Sequence, residues 1–399
     1  MKRGRQNLVL IVLLLVAAGV LTSWRIRHLN RIRAPSKNVS AFDQHGMAAA
    51  ATGNYNTALQ DFSEALRLNP TNATLFVHRG HAFLDKGELV SAINDFSQVL
   101  RLQPAHAEAL RLRGNARARK GELDAALSDL NGALQLNDRD AAAFSLRGRV
   151  LTRQGEFTRA IADLDTALRL NPEDTEAYAQ RGYAWDRQGE FQKAIADFDE
   201  AVRRNPTNAA NFINRGMAYT HTGQLDRALT EYSEALRLSP NDAKAWNGRG
   251  IVYFQQDDFA KAIQDFDEAI HSSPSNAEAW QNRGLARVQN GEWSQALVDY
   301  NESLRLDPAN ARACLGRGRV YFLKGNLARA IEDFSSAIKL NPQDGASYNA
   351  RAVAYIRSEN VASAVADLRE AVRINPQDTN AARNLELLMS KRDLKSEQR

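Results

Sequence analysis

Residues that usually carry chemistry are scarce in this chain. Of its 399 residues only Cys314 is a cysteine, so no intrachain disulfide can form. Its seven histidines are scattered, and only His78 and His81 fall at helical spacing. Two imidazoles without a third ligand make a poor metal site, and polar surface is the simpler reading. No glycine-rich loop runs into a lysine, no metalloprotease-type helix motif occurs, and no strand pattern could carry a nucleophile elbow. The chain is therefore read as a non-enzyme, with no cofactor and no small-molecule substrate expected.

Long apolar runs are missing as well, with one exception. Residues 8–24 read Leu-Val-Leu-Ile-Val-Leu-Leu-Leu-Val-Ala-Ala-Gly-Val-Leu-Thr-Ser-Trp and hold no charge. Such a run meets the short end of the length a membrane-spanning helix needs, about 17–25 residues. Lys2, Arg3 and Arg5 flank it on one side, Arg25, Arg27, Arg31 and Arg33 on the other, and Trp24 stands at the interfacial position. The expected order is a basic tail at 1–7, a transmembrane helix at 8–24 and a basic juxtamembrane linker at 25–38. A cleaved signal peptide is the alternative. Against it, Ala17-Ala18-Gly19 lies inside the run and four arginines follow directly. The heavier basic flank after the run favours a cytoplasmic body by a small margin, with the opposite orientation as the alternative.

Acids are absent from the start of the chain. Eight of the 52 basic residues and none of the 47 acidic ones fall in residues 1–37, so the remainder carries −3 against +5 for the whole. The pI near 9.3 thus belongs to the membrane flanks. A slightly acidic body makes a poor phosphate-backbone binder, and no nucleic-acid partner is expected.

Nine of the ten prolines, all but Pro35, fall on a grid. Pro70 and Pro104 are followed, after a skipped beat at Asp138, by Pro172, Pro206, Pro240, Pro274, Pro308, Pro342 and Pro376, on one 34-residue period. A fixed period of that length is one supersecondary unit copied along the chain. In Thr175 to Asn208 a first helix carries Tyr178, Gly182 and Trp185 on one face, and Gly189 closes it. A second helix carries Ala194, Phe198 and Ala201 until Pro206 stops it. Alanine fills the Ala194 slot in all ten copies, from Ala58 to Ala364. The Gly182 slot is glycine in nine copies and Ala352 in the tenth. Small residues there let paired helices approach closely, and a larger one would cost roughly 1–3 kcal/mol.

The series Tyr178, Gly182, Trp185, Gly189, Ala194, Phe198, Ala201 and Pro206 resembles the tetratricopeptide repeat. The resemblance spans residues 39–378 in ten copies and implies an all-α fold, an α-solenoid in which stacked helix hairpins form a right-handed superhelix. Leu110, Arg117, Leu130 and Asp138 depart from the pattern in the third copy, and Asp257 and Glu359 replace the turn glycine, where local softness is expected. Residues 379–399 are expected to cap the stack with a helix that turns Ala382, Leu385 and Met389 to one face. Cys314, in the slot of Trp246 and Trp280, is read as core packing.

One departure recurs. Arginine stands just before the first glycine at 79, 113, 147, 181, 215, 249, 283, 317 and 351, with Asp or Glu sixteen residues later each time. The two slots lie on facing helices, which predicts a ladder of Arg–carboxylate pairs. Paired guanidinium groups are not free for ligands, so this is read as structure.

In proteins similar to this one, the first helices line a concave groove that binds protein. The matching slots present Arg111, Arg119, Arg149, Arg153 and Arg187, offset in part by Glu108, Glu176 and Asp186. Farther along they present Ile251, Phe254, Leu285, Val288, Leu315, Phe322, Leu323, Val353 and Ile356. A groove basic at one end and apolar at the other suits an extended segment with acidic and hydrophobic portions. Packing against the next repeat is the competing reading of the apolar set. The carboxylate clamp of co-chaperone relatives is not reproduced, since Leu146 stands where an asparagine belongs. The expected function is a membrane-tethered adaptor holding a protein or peptide partner. A regulatory or substrate-presenting subunit of an enzyme complex is the alternative.

Overall fold

A computed structural model describes the backbone of residues 35–397 and the side chains of residues 38–390. The apolar stretch 8–24 and the basic tail before it lie outside the described residues. Among the described residues no helix is long and apolar enough to cross a membrane, and every regular element is an α-helix.

The helices fall into two units, residues up to Gln188 and residues from Gly189 onward. The first holds α1 (Pro35–Ala51), α2 (Tyr55–Leu68), α3 (Ala73–Lys86), α4 (Leu89–Leu102), α5 (Ala107–Lys120), α6 (Leu123–Leu136), α7 (Ala141–Gln154), α8 (Phe157–Leu170) and α9 (Thr175–Arg187). The second holds α10 (Phe191–Arg204), α11 (Ala209–His221), α12 (Leu225–Leu238), α13 (Ala243–Gln255), α14 (Phe259–Ser272), α15 (Ala277–Gln289) and α16 (Trp293–Leu306). It continues with α17 (Ala311–Leu323), α18 (Leu327–Leu340), α19 (Gly345–Arg357), α20 (Val361–Ile374) and α21 (Thr379–Glu397).

Local chemistry sets both ends of each first helix. An Asx side chain caps most of their starts, as Asp140 does by accepting from the Ala143 N–H at 3.0 Å and Asn310 from that of Ala313, while His106 takes the role in α5. A left-handed residue ends each helix, glycine in most hairpins, with φ of 95° at Gly121. Asp257 and Glu359 hold the same turn at φ 60° and 61°, so the hairpin geometry overrides their preference.

The alanine slot of the second helix is sealed in every hairpin, from Ala58 through Ala364 at 0% exposure. One helical turn beyond that alanine, the large residue of the helix fills the close approach to its partner. A Cβ added at Gly80 would meet the Phe96 ring at 2.6 Å, and at Gly318 the Phe334 ring at 2.7 Å. Fully burying each such ring stabilises by roughly 1.5–3 kcal/mol. The same rings also reach the following hairpin. Tyr232 and Tyr300 meet glycines there, Gly248 and Gly316, whereas Phe334 is followed by Ala350 and Phe62 by His78, whose ring it touches.

The Arg–carboxylate ladder is present, and it does more than the spacing predicted. Arg317 donates from Nε and Nη2 to Asp333 at 2.8 and 2.7 Å, and from Nη1 to Asn301 of the preceding hairpin at 2.8 Å. Arg79, Arg113, Arg147, Arg215, Arg249, Arg283 and Arg351 make the same forward pairs. Each arginine also reaches back sixteen residues: to Ser63, Ser97, Asn131 and Asp165 in the first unit, and to Asp199, Ser233, Asp267, Asn301 and Ser335 in the second. One guanidinium thus closes its own hairpin and ties it to its neighbour. Side-chain hydrogen bonds to Asp265, Asp333 and Asp367 hold Arg249, Arg317 and Arg351 above the ordinary arginine range. Burial raises Asp299 above the ordinary carboxylate range, against the pull of Arg283 and Arg287. Pairs this dry gain little net stability over apolar residues, yet losing one partner strands the other's charge.

The closing helix α21 lays Ala381, Leu385 and Leu388 on the last hairpin, and Met389 is half-buried. Ala382 is exposed, a correction of one position. The helix keeps the phase of a first helix, in which the third residue faces inward as Ala279 and Ala313 do. Cys314 is buried, and burial raises its thiol above the usual range.

Candidate protein-binding face

Within each unit, consecutive first helices touch one another, while second helices pack on first helices and not comparably on each other. The first helices therefore sit on the tighter, inner wall of the stack. The predicted groove slots all lie on them, and their surroundings divide into two kinds.

In the first unit the wall is basic. Arg111 is half-buried and paired with Asp140 at 3.1 Å and Glu108 at 3.7 Å. The other arginines are held differently. Arg119 donates to the Leu84 carbonyl at 2.8 Å, and Arg153 donates to the Ala118 carbonyl, each crossing from one first helix to the last turn of the preceding one. Arg149 donates to Asn115 Oδ1 at 2.9 Å. Arg187 is exposed and stands 5.9 Å from the Phe157 ring centroid. Burial lowers the Arg149 guanidinium below the ordinary arginine range. Glu176 and Asp174 oppose this, and Arg153 and Arg119 reinforce it. Of the predicted offsetting acids, Glu176 accepts from Gln180 and Asp186 is buried.

In the second unit the apolar slots are mostly drawn into packing. Ile251 and Phe254 lie against Phe266 and Ala286. Val288 lies against Tyr300 and Val320, Leu315 and Phe322 against Phe334 and Ala354, and Ile356 against Leu368. Leu285 and Val353 are half-buried, and Leu323 is the most open of the set at 46% exposure. Arg357 stacks on Phe322 at 4.8 Å.

Sequence reasoning missed the neighbouring polar slots of this wall. Asn282 donates to Asn247 Oδ1 at 3.1 Å, and Asn384 to Asn349 Oδ1 at 3.4 Å, each linking consecutive first helices. An open cleft of about 520 Å³ runs beside α11, α13 and α15 and is lined by Ile213, Asn214, Asp242, Lys244 and Asn276. The 35-residue spacing of the two asparagine pairs was the available signal. His78 pairs with Asp43 at 2.7 Å, and His81 sets its ring edge-on to Phe96. Among the described residues no three His, Cys, Asp or Glu side chains gather as a metal site.

Family models corroborate the repeats. A model described as tetratricopeptide repeat matches residues 78–143, 145–209, 213–277, 282–345 and 325–379, and one described as TPR repeat matches 46–87. No curated protein matches the chain. Among solved structures it is similar to the APC/C hetero-tetramer Cut9–Hcn1, at 14% identity and a TM-score of 0.56, covering 86% of this chain and 88% of that one. A tetratricopeptide repeat protein from Parabacteroides merdae is similar at 22% identity and a TM-score of 0.51, covering 62% of this chain and 98% of that one. At these identities the likeness concerns the fold alone.

Proposed function

Because the chain belongs to the tetratricopeptide-repeat family, we propose that it is a non-enzymatic adaptor that holds an extended segment of a partner protein along its inner wall. The observation that carries this reading is the division of labour between its arginines. Those of the ladder are consumed in pairs between helices, while Arg119, Arg149, Arg153 and Arg187 project from the inner wall with no carboxylate in contact. A photoreactive residue placed at Arg153, or separately at Leu323, should crosslink a partner, and one at Glu234, on a second helix, should not. Crosslinking from Glu234 alone would reject the reading. Leu323→Ala, at the most open of the apolar slots, should weaken capture of that partner, whereas Phe254 and Phe322 are held in packing. If the captured protein is an enzyme whose rate the array changes, the regulatory-subunit reading takes over.

The adaptor reading includes a tether. Residues 8–24 would hold the array at a membrane, with the repeats on the cytoplasmic side, on the strength of their apolar run and basic flanks. Mass spectrometry of the mature N-terminus tests this, and loss of about 20–25 residues would identify a removed signal instead.

A further inference from the structure

Three successive first helices of the first unit carry arginine in the same slot, Arg119, Arg153 and Arg187, and all three are exposed. Arg149 stands among them, close enough for Arg119 and Arg153 to disfavour its charge. Their partners are neutral: two main-chain carbonyls, one carboxamide and one aromatic ring. Among the described residues no carboxylate comes within 4 Å of any of the four. The contrast with the ladder is sharp, since every ladder arginine bonded within its unit has a carboxylate partner. A guanidinium has five N–H donors, and one bond to a carbonyl leaves four unspent. The inner wall therefore holds a line of cations with donor capacity to spare and no carboxylate in direct contact, Glu176 and Asp174 acting on Arg149 only from a distance.

We propose that this line docks an extended acidic segment of a partner protein and reads it with one carboxylate at every third residue. The inference rests on the adaptor reading and adds the chemistry of the partner. Its spacing follows from two lengths. Touching helices lie about 8–10 Å apart. A segment in the extended polyproline-II form advances about 3.1 Å per residue with three residues per turn, so one turn spans one hairpin and every third side chain faces the wall. Acidic side chains in that register meet Arg119, Arg153 and Arg187 in turn, with Arg149 between the first two. A recessed wall presents these groups to a single chain sooner than to a flat bilayer.

Fluorescence anisotropy on the full chain tests this, using a labelled peptide with Glu at every third position and a second of equal composition with its Glu residues adjacent. The spaced peptide should bind more tightly than the clustered one, and added salt should weaken it. Arg119→Gln, Arg153→Gln and Arg187→Gln together should weaken it roughly tenfold. Arg187→Gln alone, which removes only the guanidinium stacked on Phe157, should weaken it measurably in an array that melts unchanged. Equal binding of the two peptides, or equal binding by the variants, overturns the proposal. So does tighter binding of an oligonucleotide or an anionic-lipid vesicle. If photocrosslinking still places a partner on the inner wall while the arginine variants bind normally, the adaptor reading stands and this one falls.

Discussion

Replacing Gly316 by alanine puts a methyl group where Tyr300 already stands. The added Cβ would lie 2.5 Å from the ring Cζ, 2.6 Å from Cε1 and 2.6 Å from the hydroxyl. Tyr300 is 1% exposed, and burial holds its hydroxyl well above the ordinary tyrosine range, so the ring has no easy retreat. Overpacking of this kind costs roughly 1–3 kcal/mol. Removing a glycine from a helix interior returns roughly 0.5–1 kcal/mol. The contact is short and its neighbour rigid, so Gly316→Ala should lose about 2 kcal/mol net. Adding Tyr300→Phe recreates the Phe334–Ala350 pair of the next hairpin and should recover most of that loss. Hydrogen exchange read by mass spectrometry over residues 293–323 suits the test, because a repeat array need not unfold in one step. A loss of about 2 kcal/mol is roughly a thirtyfold rise in exchange. Unchanged exchange in Gly316→Ala, or no recovery in the double variant, would refute the packing argument.

Other consequences can be measured directly. Asp333 is 4% exposed beneath Arg317, so Asp333→Ala should cost about 3–5 kcal/mol by stranding the guanidinium. Adding Arg317→Ala should cost less than the sum of the single changes, and additive losses in that cycle would reject a coupled pair. Burial lowers His81 below its ordinary 6.5, aided by Arg111 and His78 and opposed by Glu108 and Asp85. The folded chain therefore resists its protonation, and this stability is present above pH 6.5 and lost as pH falls through the lowered value. NMR should find His81 titrating below 6.5, and His81→Gln should flatten the slope of stability with pH. Glu359 holds φ 61°, so Glu359→Gly should raise the stability of the last hairpin by about 1 kcal/mol in thermal melts.

Most of the fold was legible because its determinants repeat at fixed slots. Ala58 to Ala364, Gly80, Gly318 and the prolines each do the same task in successive hairpins, so spacing alone exposed them. The ladder was half legible. Its forward partner is always Asp or Glu, but its backward acceptor is Ser63, Asn131 or Asp165 in turn, and a search for a constant residue passes over it. Arg117 read as a missing aromatic, yet it is a second cation on Asp129 at 2.7 Å. On the inner wall, pattern placed the slots but could not tell Leu323, open to solvent, from Phe322, packed on the next hairpin. Both are apolar neighbours on one helix, and only the adjoining element decides.

The matching of Tyr232 to Gly248 and of Tyr300 to Gly316 limits how such a chain can gain or lose modules. Excising residues 243–276 would keep every period intact and seat Arg283 over Ser233, an acceptor Arg249 already uses. The same excision would confront Tyr232 with Asn282, where no space is left for the hydroxyl end of the ring. Cutting out residues 243–310 instead would bring Tyr232 to Gly316, a compatible junction. Interchange between modules is thus governed by a lock and key one methyl group wide.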